Sequence, residues 1–264
     1  MMFNIMQKAL IRKEVRGVVK TRGFFTNYLL VPLIMALVLP LGMVLVIGVF
    51  GVDVAEFEEL FQMLQITLGD SQPEMVMINV VMDTVMPMLF LMIPPLIVTA
   101  MAAGSFTGEK ERRTLETLLY TPMSLKEIFT AKVAATLFVG VFVTVVSFLI
   151  MMVSVIGLTF ATLGQWYIPD VIWIVYIGII APAFAFLGII IQVRVSAKAK
   201  SSEEAYQRGG VVVLPLLLVL VSQITGFMMI GPIGFLILGA LLIGIGWILM
   251  RGTFKKISYE SLLR

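Results

Sequence analysis

The chain has 264 residues, of which 60% are hydrophobic and 13% are charged, and its mean hydropathy is +1.06. A soluble domain usually carries about 25% charged residues, so this composition predicts a membrane protein. The absence of Cys and His excludes disulfides, thiolate metal sites and His-dependent catalytic triads, and we predict neither a catalytic nor a metal site. The surplus of basic residues, 19 Lys and Arg against 16 Asp and Glu, fits membrane topology better than nucleic-acid binding, so no nucleic-acid partner is expected.

The N-terminal residues 1–25 carry a helical pattern that separates charged from apolar side chains. Four basic residues repeat at every fourth position and form one stripe: Lys8, Arg12, Arg16 and Lys20. The opposite side is mostly apolar and contains Phe3, Leu10, Ile11, Val15 and Val18. This pattern predicts an amphipathic interfacial entry helix, with its apolar side in lipid and its basic side toward anionic headgroups. A basic tail that only sets topology is the alternative.

Long uncharged stretches predict the membrane-crossing segments. A helix needs about 20 apolar residues to cross the hydrocarbon core, and the stretch 209–250 is long enough for two such helices. Gly226, Gly231 and Pro232 break helical periodicity and mark the turn between them. The predicted fold class is therefore all-α, with six transmembrane helices at residues 27–50, 80–104, 133–158, 171–193, 209–227 and 231–250.

The basic residues then predict the orientation of these spans. All 19 Lys and Arg residues precede span one, follow span six, or lie between spans two and three or spans four and five. Cytoplasmic loops carry an excess of Lys and Arg. We therefore predict a multi-pass protein of the cell (plasma) membrane with both termini in the cytoplasm.

The segment 107–122, between spans two and three, is predicted to be a short cytosolic helix. Thr107 is a suitable N-cap, and acidic residues in the following turn suit the positive end of the helix dipole. Pro122 ends this helix, and Ser124 with Glu127 forms a capping box that starts the next one. A charged helix projecting into the cytosol offers a handle that a nucleotide-driven partner can push. An ordinary solvated loop helix is the alternative.

The same segment resembles the signature region of the type-two permeases of ATP-binding-cassette (ABC) exporters. The matching residues are Glu109-Lys110-Glu111-Arg112, Arg113, Thr114-Leu115-Glu116, Leu118-Leu119 and Thr121-Pro122-Met123-Ser124. The resemblance implies that residues 1–264 form a single transmembrane domain of this type, which dimerises with a second permease copy, identical or not. It also implies a separate ABC ATPase subunit that binds ATP and Mg, so no cofactor is expected in this chain and the chain is not itself an enzyme.

By this resemblance, the segment from Glu109 to Tyr120 is the coupling helix that contacts the ATPase, and the entry helix braces it. The residues expected to couple to the ATPase are Glu109, Arg112, Arg113, Glu116, Leu119 and Tyr120. Related permeases often carry re-entrant outer segments between the last two spans. Residues 209–250 leave little length for such a feature, which is expected to be rudimentary.

Polar residues in or near the spans are candidates for the translocation path, because buried polar groups in lipid need partners. These candidates are Asn79, Asp83, Gln223 and Thr225. A water-facing rim position and hydrogen bonds between helices are the alternatives for them. Three prolines, Pro87, Pro94 and Pro95, are expected to kink span two.

The favoured hypothesis is the permease subunit of an ABC exporter, which moves an unidentified substrate out of the cytoplasm with ATP hydrolysed by its partner. The glycines before Lys110 do not form a phosphate-binding loop, because their spacing and the residues beside the lysine are wrong. An ion-coupled secondary transporter would need mid-membrane carboxylates and internal symmetry. A non-transporting membrane scaffold is the third hypothesis.

Overall fold

The computed structural model describes residues 4–20, 29–53, 72–111, 120–199, 201–212, 214, 217, 221 and 232–256. Within them the regular structure is helical, as predicted, and no strand occurs. We number the helices in chain order: α1 (Ile5–Lys20), α2 (Leu30–Phe50), α3 (Pro73–Thr107), α4 (Leu125–Leu163), α5 (Ile172–Ser196), α6 (Ser202–Gly209) and α7 (Pro232–Lys256).

Five of these helices are long and apolar enough to cross a membrane: α2, α3, α4, α5 and α7. They overlap five of the six predicted spans. The remaining one, residues 209–227, lies mostly outside the described residues, so the count of six stays a prediction. Helices α3 and α4 extend beyond the predicted spans 80–104 and 133–158. At their N-terminal ends the helical backbone continues past charged residues, which are Asp83 and Glu74 in α3 and Lys132, Glu127 and Lys126 in α4.

Helix α3 is irregular at several points. Two π-helical stretches, Val81–Val85 and Ala103–Thr107, interrupt its α-helical hydrogen bonding. A further interruption lies at residues 91–92, directly before Pro94 and Pro95, which have no N–H to donate to the preceding turn. This break lies beside two of the three prolines that were expected to kink the span; the kink itself stays a prediction.

Helix α3 also lies at the centre of the bundle. In its most apolar window 72% of the residues are buried, against 17% in α2 and in α7. Its Val98 is fully buried between glycines on two neighbouring helices. A Cβ atom at Gly140 of α4 would overlap Val98 Cγ1, and one at Gly188 of α5 would lie 3.2 Å from Cγ2. These glycines let α3, α4 and α5 approach closely around one side chain.

Helix α1 packs against the start of α4. Leu10 of α1 is buried with Ile128 and Ala131 of α4, and Ile11 packs against the same cluster. The apolar side of α1 that was expected to face lipid is thus partly covered by protein. The physical reason is that α4 begins well before its apolar core and offers a matching surface. The placement of α1 in the membrane interface stays a prediction.

The bundle has two chemically different ends. At the basic end, Lys13 of α1 contacts Glu109 after α3, and Arg194 of α5 donates hydrogen bonds to Leu249 O and Thr253 Oγ1 of α7. At the acidic end, Asp83 of α3 meets the loop between α4 and α5. The candidate site lies at the basic end, where the chain leaves α3.

Candidate coupling site

The predicted coupling segment does not begin as a separate helix. The backbone after Thr107 continues directly into the helical residues Gly108–Glu111. Thr107 is 1% exposed, and its hydroxyl lies 3.5 Å from the carbonyl of Ser196 as a donor. The expectation that Thr107 caps a new helix is therefore wrong: because the helix is continuous, the amides that follow are not the free donors of a helix start. The beginning of the segment is an extension of α3.

The next helix begins as the sequence predicted. Ser124 is the N-cap of α4, its hydroxyl accepts a hydrogen bond from the Glu127 amide, and the Glu127 side chain accepts one from the Ser124 amide. Helix α4 then runs without interruption from this capping box through the bundle. A displacement of residues 120–124 would therefore act on one end of a continuous helix.

Four side chains form a buried ion network at the basic end: Glu14 of α1, Ser105 of α3, Glu109 of the extension and Lys132 of α4. Lys132 lies at its centre with 1% exposure. Its Nζ atom is 3.2 Å from Glu14 Oε1 and 2.8 Å from Glu109 Oε2. It also donates to the carbonyl and the hydroxyl oxygen of Ser105, both at 2.9 Å. The ammonium group thus joins α1, α3, the extension and α4.

The partners of Lys132 also contact one another. Ser105 Oγ donates to Glu14 Oε2 at 2.8 Å. Lys13 forms ion pairs with both glutamates from the protein surface: its Nζ atom is 2.9 Å from Glu109 Oε1 and 3.4 Å from Glu14 Oε1. The Phe106 ring lies 5.5 Å from Lys132 Nζ, in range of a cation–π contact. Each buried charge therefore has an opposite charge beside it, which is the condition under which charged groups are tolerated in an interior.

The two network residues on α1 titrate away from their ordinary ranges. Burial alone would raise the pKa of Glu14, but the charge of Lys132, the Ser105 hydroxyl and Lys13 outweigh it and hold this pKa below 4.5. Burial alone would lower the pKa of Lys13, but its contacts with Glu109 and Glu14 raise it above 10.5. Both shifts favour the charged forms, so Glu14 and Lys13 are ionised at neutral pH.

The structure describes two of the six predicted coupling residues, and these two lie in different surroundings. Glu109 lies within the ion network. Tyr120 is 89% exposed at the turn before α4, where a partner can reach it. The other four predicted coupling residues lie outside the described residues: Arg112, Arg113, Glu116 and Leu119.

The candidates for the translocation path are not brought together in the described part of the chain. Asn79 is exposed on α3. Asp83 accepts a 2.6 Å hydrogen bond from Tyr167 and a 3.3 Å bond from the Asp170 amide, so it anchors the loop between α4 and α5. Gln223 and Thr225 lie outside the described residues.

Sequence reasoning missed Glu14, Ser105 and Lys132 as members of a site. The sequence did carry one signal of a buried polar site, because Glu14 is a charged residue on the side of α1 that is otherwise apolar. Lys132 was assigned to the cytosolic loop by its charge, although apolar residues surround it in the sequence on both sides. Neither position by itself identifies the other, since they are 118 residues apart.

The family model for ABC-2 family transporter proteins matches residues 8–242 of the chain. The chain belongs to this family. No curated protein and no solved structure gives a significant match. Family membership makes the chain a permease subunit of an ABC transporter, a membrane-embedded, multi-pass component that is not itself catalytic and that pairs with an ABC ATPase subunit. The resemblance noted in the coupling segment is confirmed at the level of the family.

Proposed function

We propose that this permease exports its substrate and that the ATPase acts on the segment from Glu109 to Tyr120. The observation that carries this proposal is the ion network. Lys132 ties the beginning of this segment to α1 and α4 through contacts of 2.8 Å to Glu109 and 3.2 Å to Glu14. A push on the segment is then transmitted to helices that pass through the bundle.

The network also supports a role for α1 as a brace. Glu14 and Lys13 on α1 bind the same lysine and the same glutamate that hold the segment. Because α1 is fixed to α4 by packing at Leu10, the segment cannot shift without displacing α1 or breaking buried ion pairs. In the functional complex two permease copies, identical or not, associate with two ATPase subunits.

Docking of the ATPase is tested by substitution of Tyr120, whose side chain is 89% exposed. We expect Tyr120→Asp to weaken co-purification of the cognate ATPase, because an aromatic contact becomes a charge. Ile168→Asp is the matched control, since Ile168 is 79% exposed at the acidic end. Equal retention of the ATPase by both variants would count against docking at this segment.

Orientation is tested with single cysteines, which the cysteine-free sequence permits without background. Ile5→Cys on α1 and Ile168→Cys at the acidic end replace side chains that are 82% and 79% exposed. We propose that the basic end and both termini are cytoplasmic. A membrane-impermeant thiol reagent should then label Ile168→Cys in intact cells and Ile5→Cys only after permeabilisation. The reverse pattern would invert the topology and place the segment away from the ATPase.

A further inference from the structure

The residues after α3 also contact α6, the short helix that follows α5. Glu111 Oε2 accepts a 2.8 Å hydrogen bond from Ser202 Oγ and a 3.2 Å bond from the Ser202 amide. Ser202 is the first residue of α6, and its amide is one of the donors that a helix leaves without an internal partner. Ser201 caps the Glu204 amide in the usual way. Glu111 thus supplies a second cap to α6 from another part of the chain.

Small residues allow two segments, the extension of α3 and the start of α6, to approach closely beside the Glu111–Ser202 contact. We call this region the joint. A Cβ atom at Gly108 would lie 3.3 Å from Ser202 Oγ, so the backbone of the extension lies very close to the first residue of α6. Nearby, Ala103 of α3 forms a buried cluster with Ala199 and Ala205. The two segments are therefore held in direct contact both by close packing and by the Glu111 hydrogen bonds.

Helix α6 is fixed in turn to α5. Gln192 of α5 is fully buried, and its Nε2 atom donates to the carbonyl of Ala205 at 2.8 Å. A Cβ atom at Gly209 would overlap the Gln192 side chain, so only glycine allows the end of α6 to lie against it. The extension of α3, α6 and the end of α5 are thus joined by successive direct contacts.

We infer that Glu111 is a positioning residue that makes the beginning of the coupling segment and α6 move as one unit, so that the push from the ATPase reaches α5 as well as α4. This inference rests on the proposed function and adds a second route for the motion. The ion network carries the first route, to α1 and α4. Glu111 carries the second, through α6 and Gln192.

The first test locks the joint. Gly108→Cys combined with Ser202→Cys places two thiols where a Cβ atom and an Oγ atom are 3.3 Å apart, which suits a disulfide. The native chain has no Cys that could form competing bonds. We expect oxidation to form the disulfide and to leave ATP hydrolysis by the complex in liposomes unchanged. Failure to crosslink, or a loss of hydrolysis that reduction restores, would show that the segments are apart or must separate, and would overturn the inference.

The second test breaks the joint. Glu111→Gln with Ser202→Ala removes the charge and the hydroxyl, and Glu203→Gln is the matched control because Glu203 is exposed in the first turn of the same helix. The reporter is the rate at which a single cysteine, Tyr206→Cys on α6, reacts with a thiol reagent in the ATPase complex. We expect ATP with vanadate to change this rate in the parent and in the control, and we expect the change to be lost in the double variant.

The outcomes separate this inference from the proposed function. If the parent permease neither binds its ATPase nor supports hydrolysis, the proposed function fails. If it does both, while the double variant retains the nucleotide-dependent change at Tyr206→Cys, only the role of Glu111 fails. Should the double variant not fold, the disulfide experiment still decides whether the joint remains closed.

Discussion

The two ends of the bundle hold their helices together by different means. At the basic end, Lys132 is buried between the carboxylates of Glu14 and Glu109. At the acidic end, Asp83 receives a neutral donor, the Tyr167 hydroxyl at 2.6 Å, which in turn accepts from the Trp173 indole at 3.2 Å. One end depends on pairs of opposite charges, and the other on hydrogen bonds from uncharged donors.

This difference bears on what each end can do. Removing one partner of a buried ion pair leaves an uncompensated charge, whereas removing a neutral partner leaves an unsatisfied hydrogen bond that is less costly. The basic end therefore resists separation of its helices more strongly. This resistance fits the role proposed for the basic end, transmission of the push from the ATPase, and it gives a graded set of expectations for variants at the two ends.

The largest expected effect comes from removing the central cation. Lys132→Met leaves the Glu14 and Glu109 carboxylates close together with only the exposed Lys13 ammonium to share, and we expect a loss of about 3–5 kcal/mol in the free energy of unfolding. The measurement is unfolding of the purified permease in detergent. Lys126→Met, an exposed position one turn and a half earlier on α4, is the control and should change stability by about 0.5 kcal/mol or less.

A second substitution sharpens this expectation. In Lys132→Met with Glu14→Gln, the remaining carboxylate, the half-buried Glu109, keeps Lys13 at 2.9 Å. We expect part of the lost stability to return, because one carboxylate then faces one cation instead of two carboxylates sharing it. A double variant less stable than Lys132→Met would contradict the view that charge compensation dominates at this end.

The corresponding change at the acidic end is Tyr167→Phe. It removes the hydroxyl that donates to Asp83 and accepts from Trp173, and we expect a loss of about 1–3 kcal/mol in unfolding free energy. Tyr176→Phe is the matched control, because Tyr176 is equally buried but, within the described part of the chain, its hydroxyl donates only to Met88 Sδ at 3.5 Å. If both variants lost the same stability, the Asp83 contact would not hold the acidic end.

A smaller effect is expected between the ends, where α3 packs closely against α4. Gly140→Ala places a Cβ atom where it overlaps Val98 Cγ1. We expect a net loss of about 1–2 kcal/mol, because overpacking outweighs the gain of about 1 kcal/mol from replacing glycine in a helix. Gly157→Ala, on the same helix with nothing within 4 Å, should be neutral or stabilising. A similar loss in both would mean that close packing at Val98 is not the cause.

The sequence predicted the architecture more completely than the site. Uncharged length was sufficient to locate five spans, and the Ser124 capping box was correct because both partners are local. The ion network could not be predicted, since it depends on which face of α1 meets which face of α4. Thr107 shows the limit of local signals: a good capping residue followed by acidic residues lies inside a continuous helix, because α3 passes through a π-helical stretch instead of ending.

The pH dependence of the free energy of unfolding also distinguishes the two ends. Glu14 has a pKa below its ordinary 4.5 in the folded protein, so its stabilising contribution is present above pH 4.5 and is lost as the pH falls through the folded value. Burial and the hydrogen bond to Asp83 raise the pKa of Tyr167 above 10.0. Its contribution is therefore present below pH 10.0 and is lost as the pH rises through the folded value. Lys13, with a pKa raised above 10.5, adds to the alkaline loss.

The free energy of unfolding, measured across this pH range, should thus change differently in variants of the two ends. Glu14→Gln is expected to reduce the loss of stability at acid pH while a loss at alkaline pH remains. Tyr167→Phe is expected to reduce part of the loss at alkaline pH and to leave the loss at acid pH as in the parent. These are the smallest effects predicted, because each concerns the titration of a single group whose partners remain in place. If Glu14→Gln lost as much stability at acid pH as the parent does, the ion network would not control acid stability at the basic end.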